Sequence, residues 1–176
     1  PPVVFYGSSI TQGGCASKPG CAFPAMVGQM LDCDHRNLGF SGSCKGEQAM
    51  ADYLASLPMS AFVCGYDHNA PTLTHLERTH LPLVRAVRES HPDIPILLFG
   101  RPKAVLSEEE QARRAVIETT CTAVNGVFIP NEALIPPAIS PWATVDGVHP
   151  NDLGFHHMAK TIAARLIHSL KKESCI

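Results

Sequence analysis

Short apolar runs alternate with longer amphipathic stretches along the whole chain. Val3–Tyr6, Arg36–Leu38, Ala61–Gly65, Ile94–Phe99 and Gly126–Ile129 are brief and bounded by turn residues, the pattern of strands buried on both faces. The stretches between them repeat apolar residues at helical spacing. Phe23–Leu31 follows a glycine-rich loop. Gly46–Ser56 carries Met50, Tyr53 and Leu54, with Leu57 just beyond. Thr72–Ser90 repeats Leu76, Leu83, Val84 and Val87. A helix opens at Ser107, with Glu110 three residues on as a capping box, and runs to about Thr122. The last, Asp152–Leu170, is expected to bury Phe155, Met158, Ile162, Leu166 and Leu170. It leads into Lys171-Lys172, whose charge suits a helix C-terminus. Strand followed by helix, five times over, predicts an α/β protein: a three-layer α/β/α sandwich around a five-stranded parallel flavodoxin-like sheet, order 2-1-3-4-5.

Composition narrows the function classes. The 176 residues suffice for one domain with a sizeable core and are too few for two ordinary ones. Acidic residues number 16 and basic residues 14, a formal charge of −2, which leaves no electrostatic footprint for nucleic acid or an anionic membrane. No apolar run approaches the ~20 residues of a membrane span; Ile94–Gly100 contains a proline and ends at Arg101. The chain opens on Pro1-Pro2 and enters its first strand at once, without an initiator methionine or a leader pattern. This start reads as a single domain excised from a longer chain. The compartment, cytoplasmic or exported, and the oligomeric state stay open.

Seven cysteines cannot all pair within one chain, and no Cys-x-x-Cys suggests structural zinc. Cys15 and Cys21 share a loop and could bridge in an exported protein; free thiols are the other reading. His156-His157 and His75…His80 lack metal-ligand spacing and are expected on solvent-facing helix surfaces.

In doubly wound sheets chemistry gathers at the carboxyl ends of the strands. Gly7-Ser8-Ser9-Ile10-Thr11-Gln12-Gly13-Gly14 follows the first strand. It lacks a Walker lysine and a dinucleotide glycine spacing. A phosphate cradle, a nucleophile turn and a plain turn all remain open for it. Gly42 follows the second strand, where it either brings its backbone N–H close to a ligand or, on local grounds more often, makes an ordinary left-handed turn before a helix. Asp67-His68-Asn69 follow the third, as hydrogen-bonding groups at a strand end or as caps of the next helix. Near the C-terminus, Asp146 and His149 stand three residues apart in a loop. A carboxylate at that distance can accept the imidazole Nδ1–H, fix the tautomer and leave the other nitrogen as a base. A serine hydroxyl needs such a base to act as nucleophile.

These segments resemble the GDSL, or SGNH, esterases and lipases, in particular a bacterial GDSL-like branch. Gly7-Ser8-Ser9-Ile10-Thr11 looks like the family's first block and Asp146-Gly147-Val148-His149-Pro150 like its last. The resemblance implies Ser9 as nucleophile, His149 as base and Asp146 as its orienter. It implies an oxyanion hole made by the Ser9 N–H, Gly42 and Asn69, and members of that branch often carry a β-rich module upstream. Ser8 stands where the family name has Asp, a position without bond chemistry. Asn69 lies four residues after Gly65, further than the family's Gly-x-Asn-Asp spacing, so its loop must take another path; Asp67 and His68 are the alternative occupants of that space.

The reaction the resemblance implies is hydrolysis of a small-molecule carboxylic ester through an acyl-enzyme, with no metal or organic cofactor required. Short loops at the carboxyl edge, apart from 15–24 and 135–145, favour acetyl and other short acyl groups. Trp142 is a candidate to line the alcohol side, even against a sugar, or only packs a loop. Arg101 is a candidate for an anionic leaving group, or a structural ion pair. The competing readings are a thioesterase or lysophospholipase on longer chains, a flavodoxin-like phosphate- or flavin-binding domain, and an idle interaction domain.

Overall fold

The computed structural model describes residues 1–173, with side chains through residue 169. Strands β1 (Val3–Gly7), β2 (His35–Gly39), β3 (Ala61–Gly65), β4 (Ile96–Phe99) and β5 (Val127–Ile129) form one parallel sheet in the order β2-β1-β3-β4-β5. Seven α-helices accompany them among the described residues: α1 (Ser9–Gln12), α2 (Phe23–Leu31), α3 (Gln48–Ser56), α4 (Leu73–Ser90) and α5 (Glu108–Ala123) between strands, and α6 (Asn131–Leu134) and α7 (Asp152–Glu173) after the last. The three-layer doubly wound architecture is the one the strand–helix alternation predicts.

The alternation of side chains along each strand divides the core in two. Val4, Tyr6, Phe62 and Cys64 face α3, α4 and α5, meeting Leu54, Leu76, Leu83, Val87 and Ile117. Val3, Phe5, Val63 and Leu97 face α2 and α7, meeting Phe23, Val27, Phe155, Met158, Ile162 and Leu166. Edge-on ring pairs Phe5–Phe23 and Phe23–Phe99 knit this second layer.

Several boundaries shift for visible reasons. Pro95 has no N–H for the ladder, so β4 starts at Ile96, while the Pro95 carbonyl accepts from Phe62 N–H. Gly126 gives its N–H to the Cys121 carbonyl and so closes α5 rather than opening β5. Gly46 has φ +69° and donates to the Tyr6 hydroxyl, which delays α3 to Gln48. Burial on both faces holds for β1, β3 and β4 but not for the two edge strands: β2, paired with β1 alone, is partly exposed throughout, and Val127 and Phe128 of β5, paired with β4 alone, are half-buried. Tyr53 points outward at 46% exposure, and Leu54 takes the core position of α3. The Leu170 side chain, Lys171, Lys172 and Cys175 lie outside the described side chains. Cys15 and Cys21 are both free thiols.

The histidines need one correction. His156 is exposed and His157 half-buried, as is His75, whose Nε2 lies 2.7 Å from the Lys45 carbonyl, but His80 is fully buried. It stacks on Tyr66 with 5.4 Å between ring centroids, and its Nδ1 lies 2.9 Å from Thr120 Oγ1. Helical spacing gave no sign of this, because α4 is covered on two sides, by α3 and α5. Burial pushes the imidazole down to about 4, against an opposing pull from Asp67. The unfolded chain therefore takes up a proton near pH 6.5 that the folded chain refuses until about 4. This contribution to stability is complete above about pH 6.5 and is lost as pH falls toward 4, about 3 kcal/mol in all. Urea unfolding at pH 7.5 and 4.5 will show the loss, and His80→Phe will flatten it; an unchanged slope in that variant would assign the acid sensitivity elsewhere.

Candidate active site

Three strands end side by side on glycine: Gly7 is in register with Gly39 on one side and Gly65 on the other. The absence of side chains there lets α1 settle over the sheet edge. A Cβ at Gly39 would lie 2.1 Å from the Gln12 backbone nitrogen, so only glycine permits this approach. Ser8 caps α1, accepting the Ile10 N–H, and Ser9 is its first residue.

The loop after α6 brings a second element to the same edge. Thr144 and Pro150 form an antiparallel bridge, and the Val145 N–H donates to the His149 carbonyl at 2.9 Å. Asn151 donates from Nδ2 to the Trp142 carbonyl at 2.7 Å, while its Oδ1 accepts from Leu153 and Gly154 at the start of α7. Within this frame Asp146 Oδ1 accepts the Val148 and His149 N–H groups at 2.9 and 2.7 Å. Asp146 Oδ2 lies 2.7 Å from His149 Nδ1. The His149 backbone N–H, then its imidazole and the Val148 N–H, hold the Asp146 carboxyl well below the usual carboxylate range. An ionised Asp146 can only accept, so Nδ1 carries the imidazole proton and Nε2 is left as an acceptor. That nitrogen lies 3.0 Å from Ser9 Oγ.

Gly42 and Asn69 approach from the two flanking strands. The turn after β2 is pinned to α1, with Ser41 N–H donating to Gln12 Oε1 at 2.8 Å and Phe40 N–H to the Gly7 carbonyl at 2.8 Å. Gly42 itself is exposed at φ +68°, and no acceptor among the described residues engages its N–H. After β3, a 3₁₀ turn over Asp67–Asn69 takes up the additional residues before the asparagine. Asn69 Nδ2 ends 3.4 Å from the Phe40 carbonyl, against the turn that carries Gly42.

The other sequence candidates are placed differently. The Arg101 guanidinium lies 3.0 Å from Glu110, a carboxylate shared with Lys103 at 2.9 Å. Trp142 is 66% exposed on a 3₁₀ turn (Ser140–Trp142) four residues before Asp146. In the first loop Ser8 is bonded to His68 and to the Ile10 N–H and Ser9 to His149, while the Thr11 hydroxyl is buried and without a hydrogen-bond partner among the described residues. The contact between Ser8 and His68 was not legible in the sequence; its only signal was three hydrogen-bonding side chains in a row at a strand end.

Residues 1–167 match the GDSL-like lipase/acylhydrolase family. No curated protein sequence matches the chain. Among solved structures it is similar to a Bacteroides ovatus protein assigned to the GDSL-like lipases, with 30% identity and a TM-score of 0.82, covering 97% of this chain and 53% of that one. It shares its fold with a two-domain esterase active on acetylated mannans, crystallised with mannopentaose (24% identity, TM-score 0.72, 95% of this chain and 49% of that one). A family two carbohydrate esterase from Clostridium thermocellum, in complex with cellohexaose, has the same fold (15% identity, TM-score 0.76, 97% and 64%). The chain thus spans about half the length of two of these proteins and somewhat under two thirds of the third. On the family match over residues 1–167 and the sheet order, this chain belongs to the GDSL-like lipase/acylhydrolase family.

Proposed function

We propose that the chain is a serine esterase that hydrolyses carboxylic esters through an acyl-enzyme. One observation carries the reading: Ser9 Oγ, His149 Nε2, His149 Nδ1 and Asp146 Oδ2 lie in a continuous chain with links of 3.0 and 2.7 Å. Ser9 attacks the ester carbonyl and gives its proton to His149 Nε2. The tetrahedral oxyanion is met by the N–H groups of Ser9 and Gly42 and the Asn69 amide. His149 then returns the proton to the leaving alcohol, and water repeats the sequence on the acyl-enzyme. Asp146 stays ionised throughout and stabilises the transient imidazolium.

The substrates we assign are short acyl esters, acetyl above all, carried on carbohydrate. Two features support this. Val145 and Trp142, one and four residues before Asp146, are 65% and 66% exposed on the loop that carries the carboxylate. Trp142, its carbonyl tied down by Asn151, offers a flat ring of the kind that stacks on sugar faces. Of two proteins of the same fold, one is an esterase active on acetylated mannans and the other is a carbohydrate esterase in complex with cellohexaose.

The test is hydrolysis of p-nitrophenyl acetate against p-nitrophenyl octanoate, with labelling by a fluorophosphonate located by peptide mass mapping. Turnover of acetate in preference to octanoate, with the label on Ser9, is the expected result. Preference for octanoate would move the substrate to longer acyl chains, and an unlabelled Ser9 would end the esterase reading.

A further inference from the structure

A second Ser–His–Asp arrangement stands directly beside the first. Ser8 Oγ lies 2.7 Å from His68 Nε2, and His68 Nδ1 lies 3.1 Å from Asp67 Oδ1. Ser8 and Asp67 are buried at 0% and 2% exposure, and His68 is half-buried, its side chain 16% exposed. Burial alone would raise the Asp67 carboxyl. The hydrogen bond from His68, with the N–H groups of Arg101 and His68, outweighs it and brings the carboxyl below its ordinary range. Asp67 Oδ2 accepts from the Arg101 N–H at 3.3 Å.

The hydrogen bonds fit together in one direction. An ionised Asp67 can only accept, so His68 Nδ1 carries a proton and donates it. His68 Nε2 then accepts the Ser8 O–H, and a Ser8 lone pair accepts the Ile10 N–H. Ser8 has no access to solvent, so it cannot attack a substrate. Its place in the fold gives it a different task. Ser8 precedes Ser9 and caps the helix that Ser9 begins, while His68 precedes Asn69 in the 3₁₀ turn. Among the described residues the Ser8–His68 bond is the one side-chain hydrogen bond between the two turns. On its far side the 3₁₀ turn is anchored to α5, where Arg113 donates to the carbonyls of Asp67 and Ala70.

We propose that Asp67, His68 and Ser8 form a positioning array that fixes the Asn69 amide relative to the Ser9 hydroxyl, so that the oxyanion donor is in place before substrate arrives. This rests on the esterase reading and deepens it. These are positioning residues: they act on the reaction through Asn69 and the nucleophile turn. An oxyanion donor stabilises the transition state only where its geometry is set in advance, and one misplaced donor costs on the order of 10²–10³-fold in kcat. Loosening it costs part of that.

A double-mutant cycle tests the array. His68→Ala and Ser8→Ala will each lower kcat for p-nitrophenyl acetate by roughly 10- to 50-fold, within the range a lost donor sets, with KM little changed. His68→Gln, which keeps an acceptor for the Ser8 hydroxyl, will recover part of the loss. In an Asn69→Ala background, His68→Ala will cost less than about threefold, because the group it positions is already gone. An equal cost in both backgrounds, or an effect on KM alone, overturns the proposal. A readout independent of turnover separates this from the esterase reading. The Asn69 side-chain amide resonances will shift in folded His68→Ala and Ser8→Ala protein. If they stay fixed in both, the array does not position Asn69, whatever the activity; if they shift in a protein whose Ser9 takes no label, positioning stands and the esterase reading falls.

Discussion

Replacing Ser9 by Ala will lower kcat for p-nitrophenyl acetate by roughly 10³-fold or more, and His149→Ala will do the same. The argument is geometric. A serine hydroxyl is almost wholly protonated at neutral pH, and among the described residues the one base within hydrogen-bonding distance of Ser9 Oγ is His149 Nε2 at 3.0 Å. Each residue is useless to the reaction without the other, so the losses will not multiply. The double variant will be no slower than either single one beyond a few-fold, with residual rate supplied by the N–H donors and by substrate binding. Both substitutions are small and lie at the sheet edge, outside the two core layers, so melting temperatures will stay close to wild type. Multiplicative losses would mean that Ser9 and His149 act in separate steps. A Ser9→Ala protein retaining a tenth of the activity would remove Ser9 from the nucleophile's role.

Asp146→Asn will be nearly as damaging, on the order of 10³-fold in kcat, and worse than Asp146→Ala. The reason is the competition for one oxygen. Asp146 Oδ1 accepts two backbone N–H groups while Oδ2 accepts the imidazole N–H. Asparagine has a single acceptor oxygen, and the two N–H groups of Val148 and His149 will claim it. Its NH₂ then faces His149 Nδ1 and forces that nitrogen to accept. The imidazole proton moves to Nε2, which can no longer take a proton from Ser9. Alanine imposes no tautomer, so a fraction of His149 remains competent. Buried triads lose about 10⁴-fold on the same exchange; the smaller figure here reflects a carboxylate with a side chain 49% exposed, where water competes for both partners. Imidazole ¹⁵N shifts of His149 in the two variants report the tautomer directly. An Asn variant more active than the Ala variant would show that charge rather than tautomer is what Asp146 supplies.

The architecture was legible because hydrophobic spacing is set by the local geometry of helices and strands. Five strands and the five long helices follow from that spacing, and parallel order follows from their alternation. The boundaries it misplaced were decided by single backbone hydrogen bonds, such as Gly126 closing α5 and Gly46 reaching the Tyr6 hydroxyl. The burial of His80 escaped it because whether a helix face meets water depends on which other helices lie beside it.

The chemistry divides in the same way. Asp146 and His149 belong to one loop, and their three-residue spacing fixes their pairing locally. Ser9 and His149 are 140 positions apart, and the motifs name them without bringing them together. The extra length before Asn69 was visible, but that a 3₁₀ turn absorbs it was not. Least legible was Ser8, which reads as a chemically silent substitution and proves to be bonded to a histidine 60 residues away. The sequence by itself determined the fold class, the residue types at each strand end and the local Asp146–His149 pair, because all three depend on neighbours along the chain. Only the tertiary structure decided which serine faces which histidine, because that choice is made where β1 and β3 lie side by side and the last loop folds back over them, at distances along the chain that no local pattern spans.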